Sequence, residues 1–240
     1  MREKFYKRLG RPIGDLSLPR RAQDVLYDKK WKIFLRRARL FRHIPFVEFV
    51  FAAGSMALGN VGENSDFDVI VGAKHGRIFT ARFFSVLTFG ALRTRRKKLT
   101  HHEHARDKIC LNHFVTEKSY ALRPPHNIYW EELYKNLVPL YGSDKNLNAF
   151  LTAQSWVMPT PILKPDLRYK TGASLIKRVV EKVLSGKMGD SLESRLRAYQ
   201  LKRIEAGFAR HPRRDRIRAS DDELEFHPDI SRIDKLTQNA

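Results

Sequence analysis

The 240-residue chain reads as an α/β protein, α+β in arrangement, with strands alternating with helices in the first half and a mainly helical, basic region behind them. Three observations predict this. Runs rich in β-branched and aromatic residues, Phe46–Ala53, Phe67–Gly72 and Ile109–Val115, have the length and composition of strands. Before and between them, apolar residues recur at helical spacing. After Pro124-Pro125 the pattern turns helical, and beyond Pro159 basic residues outnumber acidic ones.

Taken in order, residues 1–21 are a basic arm broken by Gly10, Pro12, Gly14 and Pro19. A helix is predicted over 22–43, with Val25, Leu26, Ile33, Phe34, Leu40 and Phe41 on its apolar face, ending before Pro45. The strand Phe46–Ala53 follows, then a short helix from Ser55 and a loop over 60–65 with Gly62 and Asn64 as turn residues. After the strand Phe67–Gly72 comes an apolar helix, Arg77–Leu92, then a basic connection over 93–108 and the strand Ile109–Val115. Helices are expected over 127–137, stopped near Pro139, and over 145–155. Pro159, Pro161 and Pro165 mark a linker, with helices over 173–184 and 191–208 beyond it. The expected division is an arm (1–21), an α/β domain (22–120), a helical extension (121–158) and a basic helical region (159–240).

Hydrophobic residues make up 42% of the chain, which places it with globular proteins. Lys and Arg number 46 against 26 Asp and Glu, a formal charge of +20. Such a field attracts polyanions such as RNA, DNA, nucleotides or anionic lipid, although it also serves solubility alone. The single cysteine, Cys110, allows no disulfide within the chain and suits a reducing cytoplasm. No apolar stretch follows the charged Met1-Arg2-Glu3-Lys4, so no signal peptide is expected. The most apolar run, Ile78 to Leu92, contains Arg82 and falls short of the roughly 20 residues a membrane span needs, so no transmembrane segment is expected.

The chemistry concentrates in Phe51–Val71. Gly54 ends a strand without a Cβ, so a phosphate chain can approach the backbone. Ser55 adds a hydroxyl where a helix begins and its N–H groups can face an anion. Asp66 and Asp68, one residue apart on a predicted strand, point to the same face, while Phe67, Val69 and Val71 pack on the other. Two carboxylates beside a phosphate cradle form a hard-oxygen site suited to Mg²⁺. Ser65 and Arg82 join Gly54 and Ser55 as candidate nucleotide-binding residues. An Arg inside an apolar helix needs a partner, or it snorkels to water.

In these residues the chain resembles the nucleotidyltransferase superfamily, the DNA polymerase β-like and minimal nucleotidyltransferases. That family's Gly-Ser turn followed by D-x-D is matched by Gly54, Ser55, Asp66 and Asp68. The resemblance covers about residues 45–116. It implies a small mixed sheet flanked by helices, and transfer of a nucleoside monophosphate from a triphosphate, ATP as the expected donor, to an acceptor. Asp66 and Asp68 would hold Mg²⁺, and Gly54 and Ser55 the β- and γ-phosphates. Asn136-Leu-Val-Pro-Leu-Tyr-Gly142 and Leu224-Glu-Phe-His-Pro228 look similar to bacterial proteins carrying this domain, which implies no activity.

One position departs from the family. Its active members carry a third acidic residue on the next long strand, where this chain has Asn112 and His113. Alternation puts these two on opposite faces, and Asn112 is the positional replacement. Asn112 could ligate metal through its carbonyl oxygen, whereas His113 could act as a general base. The expected function is therefore Mg²⁺-dependent nucleotidyl transfer to RNA or another acceptor. The alternative is a degenerate module of this fold that binds nucleic acid or a partner protein, with an antitoxin-like masking partner as a third reading.

Other features weigh less. His101, His102, Glu103 and His104 invite a zinc reading with Cys110, but consecutive side chains diverge and a solvated loop is expected. Arg93, Arg95, Arg96, Lys97 and Lys98 suit either a phosphate-binding strip near the cleft or a solvated helix end. Tyr199 and Phe208 suit base stacking or core packing equally.

Overall fold

The computed structural model describes residues 17–97, 105–163, 168–209 and 216–227. Helix α1 (Ser17–Ala38) runs into a 3₁₀ turn, Arg39–His43. Strand β1 (Val47–Ala52), the short helix α2 (Gly54–Leu58) and strand β2 (Phe67–Ala73) follow in the expected strand–turn–helix–loop–strand order. Helix α3 (Ile78–Ala91) leads to β3 (Ile109–Val115). Then come α4 (Ile128–Lys135), β4 (Val138–Gly142), α5 (Asp144–Thr152), α6 (Leu175–Val183), α7 (Lys187–Phe208) and the hairpin β5 (Arg216–Ala219) and β6 (Glu223–His227).

The six strands form one mixed sheet in the order β4-β1-β2-β3-β6-β5. Only β2 and β3 are parallel; every other neighbouring pair is antiparallel. A parallel pair needs a crossover, which α3 supplies. One face of the sheet carries Val50, Phe67, Val69, Val71, Phe114, Leu224 and Phe226 against α1, α3 and α7, with Phe34 of α1 stacked on Phe67 at 4.5 Å between ring centroids. The other carries Phe49, Phe51, Ile70 and Val115 against α4 and α5. A sheet covered on both faces explains why its strands read as nearly continuous apolar runs.

Two expectations about the later chain are corrected. The extension over 121–158 was expected to be helical, yet Val138-Pro-Leu-Tyr-Gly142 is a strand. Pro139 argues against a strand in the middle of a sheet, but β4 pairs with β1 and forms the end of the strand order, where a missing N–H is tolerated. Among the described residues of the basic region over 159–240, the helices are α6 and α7. Its hairpin joins the sheet through β6 on β3, and Leu196, Leu224 and Phe226 lie in the same core as α1 and β2.

Polar side chains tie these layers together. Arg77, which precedes α3, makes no side-chain cap, and Glu193 of α7 accepts from the N–H groups of Phe79 (2.9 Å) and Thr80 (2.8 Å) instead. Gln154 is fully buried and uses all of its amide, accepting from Leu122 N and Trp156 Nε1 and donating to Tyr120 O and Phe150 O. Lys177 of α6 turns inward to the carbonyls of Ile44 and Val47, leaving Leu175, Ile176, Val179 and Val183 exposed. Among the described residues, no helix is long and apolar enough to cross a membrane.

Candidate active site

The site forms where β1 ends and the parallel strands β2 and β3 begin. Ala53 N donates to Asp68 O at 3.0 Å, which fixes the end of β1 against the start of β2. Gly54 then turns with φ +57, a left-handed conformation that favours glycine. A Cβ there would lie 2.1 Å from Asp68 Oδ2, so the bare backbone and the carboxylate are in direct apposition.

Asp66 lies one residue before β2 and Asp68 is its second residue. Phe67, Val69 and Val71 pack on the α1 side of the sheet, as expected, which turns Asp68 to the opposite face. Asp66, Asp68 and Cys110 each bring a ligand-type atom within 4.8 Å of the others. Burial pushes the Asp68 carboxyl up to about 7, reinforced by the neighbouring Asp66 charge and opposed by Arg96, Cys110 and Asn112. Burial also pushes the Cys110 thiol well above its usual range, so it stays neutral and donates to Asp68.

Asn112 Nδ2 donates to Asp68 Oδ1 at 3.4 Å, which puts Asn112 in the site. The expectation that Asn112 and His113 face opposite ways is corrected by a bulge. Asp68 pairs with Cys110 but Ile70 with His113, so two residues of β3 oppose one of β2. Leu111 and Phe114 both reach the α1 side, and the pair between them turns to the Asp68 side. On that face His113 lies toward the hairpin, with Nε2 3.5 Å from Glu223 Oε1.

The basic stretch after α3 reaches the site. Arg96 Nη1 donates to Asp66 Oδ2 at 2.8 Å, and its main chain is bonded to Ile109. At Arg96 the stretch therefore lies against the site and is not a solvated helix end. Lys98 and the cluster His101–His104 lie outside the described residues.

The remaining candidates separate. Ser55 is partly buried on α2, next to Gly54. Ser65 adjoins Asp66, but its hydroxyl accepts from Gly62 N at 2.9 Å and shapes the loop. Arg82 is not part of the site: it donates to Gln200 and lies over the Phe226 ring, on the α7 side of the sheet, while Asp68 faces the other way. Of the two C-terminal aromatics, Phe208 stacks on Phe226 at the core and Tyr199 is exposed.

Sequence reasoning missed Lys30. Only 2% exposed, it donates to Glu63 O (2.7 Å), Ser65 O (2.8 Å) and Asp107 Oδ1 (3.0 Å), which fixes the loop carrying Asp66. Gln23 and Tyr27 on the same helix bond Val61 O and Met56 O. The only signal in the sequence was polar residues spaced to share one helix face. Elsewhere, a cleft of about 370 Å³ near the β4 edge is lined by Arg39, Arg42, Arg168 and Lys170 along with apolar side chains.

Fold and site together define a mixed α/β protein with a paired-carboxylate site beside a bare-backbone turn. Compared with family models, curated proteins and solved structures, the chain matches none.

Proposed function

We propose that the chain is a Mg²⁺-dependent nucleotidyltransferase that moves a nucleoside monophosphate from a triphosphate, ATP as the expected donor, to an acceptor. The observation that carries this reading is the apposition of Gly54 and Asp68, with Asp66 at the same end of the strand. Two carboxylates beside a backbone turn form a hard-oxygen pair of the kind Mg²⁺ takes, and burial keeps the neighbouring Cys110 thiol protonated. Bound between Asp66 and Asp68, Mg²⁺ would orient a phosphate tail and neutralise charge that develops on it.

The chain's own groups supply the rest. The missing Cβ at Gly54 makes the space that the Asp68 carboxylate fills, which brings the turn against the acid, and Ser55 offers a hydroxyl beside them. Arg96 pairs with Asp66 and brings its guanidinium to the cleft. Asn112 orients Asp68 through its amide. In this reading an acceptor hydroxyl attacks the α-phosphorus in line, the bond from the α-phosphorus to the bridging oxygen breaks, pyrophosphate leaves and the hydroxyl proton passes to water.

The test is a titration with ATP and Mg²⁺ followed by thermal shift, with incorporation of labelled nucleotide into an acceptor. Saturable stabilisation that needs both ATP and Mg²⁺, and that is lost in Asp68→Asn, supports the reading. A wild-type chain indifferent to every Mg²⁺–nucleotide pair overturns it.

A second reading has an observation of its own. Asn112 stands where an active family member would carry an acid, and four cationic side chains line the cleft by β4. A degenerate module that binds a polyanion such as RNA fits both. Salt-sensitive RNA binding by wild type and Asp68→Asn alike, without incorporation, would select it.

A further inference from the structure

A second cluster of ligand-type side chains lies on β3 and β6, beyond the Asp66–Asp68 site. His113 and Glu225 are directly paired across the two antiparallel strands, and His227 is two residues from Glu225 on the same face of β6. His113, Glu225 and His227 each bring one ligand atom within 4.8 Å of the others. The two imidazoles meet edge to face, 6.4 Å between centroids.

An independent observation points to an occupant. His113 Nε2, Glu223 Oε1 and Glu225 Oε2 are all buried and take part in no hydrogen bond. Their residues are 4%, 2% and 0% exposed. Buried nitrogen and oxygen atoms that converge without hydrogen bonds leave a polar gap that a bound group would satisfy. Arg218 Nε approaches Glu225 Oε2 at 3.3 Å but makes no hydrogen bond to it.

The surroundings suit metal ligation. Arg216 Nε donates to Glu225 Oε1 at 2.6 Å, orienting the carboxylate as an outer-shell partner does and leaving Oε2 for the cluster. Burial holds His227 down to about 4, so its ring is neutral at physiological pH. Burial works to raise the Glu225 carboxyl, but positive charge beside it, the bonded Arg216 included, holds it below the usual carboxylate range. Two imidazoles and a carboxylate favour zinc-like ions over Mg²⁺.

We propose that His113, Glu225 and His227 form a site for a divalent transition metal of the zinc class, which fastens the C-terminal hairpin to β3. The proposal stands whether or not Asp66 and Asp68 serve a nucleotide. Its test uses the full chain stripped with a chelator and titrated calorimetrically with Zn²⁺, and separately with Co²⁺ followed by absorption. One equivalent of Zn²⁺ is expected, together with a Co²⁺ spectrum of tetrahedral nitrogen and oxygen ligation without thiolate charge transfer. His227→Ala should weaken Zn²⁺ by more than the roughly 10–100-fold that loss of an outer-shell partner costs, while Asp68→Asn leaves it unchanged. Hydrogen exchange on wild type keeps the idea falsifiable should His227→Ala fail to fold, because Zn²⁺ should slow the β6 amides. Failure of wild type to bind Zn²⁺, binding undiminished in folded His227→Ala, or a thiolate–Co²⁺ band assigning the ion to Cys110 would each overturn it.

Discussion

Gly54 and Asp68 occupy one another's space: a single methyl group on the first would sit 2.1 Å from a carboxylate oxygen of the second. The turn that ends β1 and the strand that carries the acid are thus shaped around each other, and the mutual fit can be tested.

Gly54→Ala is expected to destabilise the fold by about 2 kcal/mol or more, since it combines a left-handed φ with a contact no Cβ makes. Urea unfolding measures the loss. Stability equal to wild type would show that the turn and Asp68 are not packed as described.

A pH dependence follows from Asp68. Its folded value of about 7 lies above its ordinary 3.8, so between those limits the folded state keeps a proton that the unfolded chain has released. Stability from this group is therefore present at low pH and lost as pH rises toward 7. Without metal, Asp68→Asn should melt several degrees above wild type at pH 8, with the gap closing as pH falls below about 7. A gap that widens on acidification would reverse the sign and refute the assignment.

Asn112→Asp adds a third acid beside Asp68. Metal-free, the variant should be less stable than wild type at pH 8, because a further buried anion joins Asp66 and Asp68. Mg²⁺ should recover that loss, giving a larger Mg²⁺-dependent rise in melting temperature than in wild type. Equal Mg²⁺ responses would place position 112 outside the metal's reach.

Lys30→Met should cost about 3 kcal/mol, since it leaves two carbonyls and Asp107 without their buried cation. As Lys30 positions Asp66 and touches no ligand, Mg²⁺–ATP affinity should fall even where the variant remains fully folded. Unchanged affinity in folded Lys30→Met would limit the residue to stability.

Glu193→Ala removes the carboxylate that caps α3 from α7 and should cost about 2 kcal/mol, read by chemical unfolding. A cost below about 0.5 kcal/mol would show that water replaces the cap.

The strands β1, β2 and β3, the helices between them and the approach of Gly54 to the Asp pair were legible from residues 46–115, because each is set by local periodicity and a glycine–serine turn. Arg82 misled for a related reason. Its place inside an apolar helix showed that it needed a partner, but which face of the sheet that helix covers is decided by α7 and Phe226, far along the chain.

Composition and local pattern alone determined a basic α/β chain with two carboxylates gathered at a strand's start. Tertiary structure decided what depends on residues distant in sequence. It placed Pro139 on a sheet edge, where its missing N–H costs little, and turned both Asn112 and His113 to one face through a bulge that only pairing with β2 defines. It also brought Glu225 and His227 beside His113 across more than a hundred residues of chain. Strand pairing over such distances is governed by how whole surfaces pack, and no window of neighbouring residues encodes it.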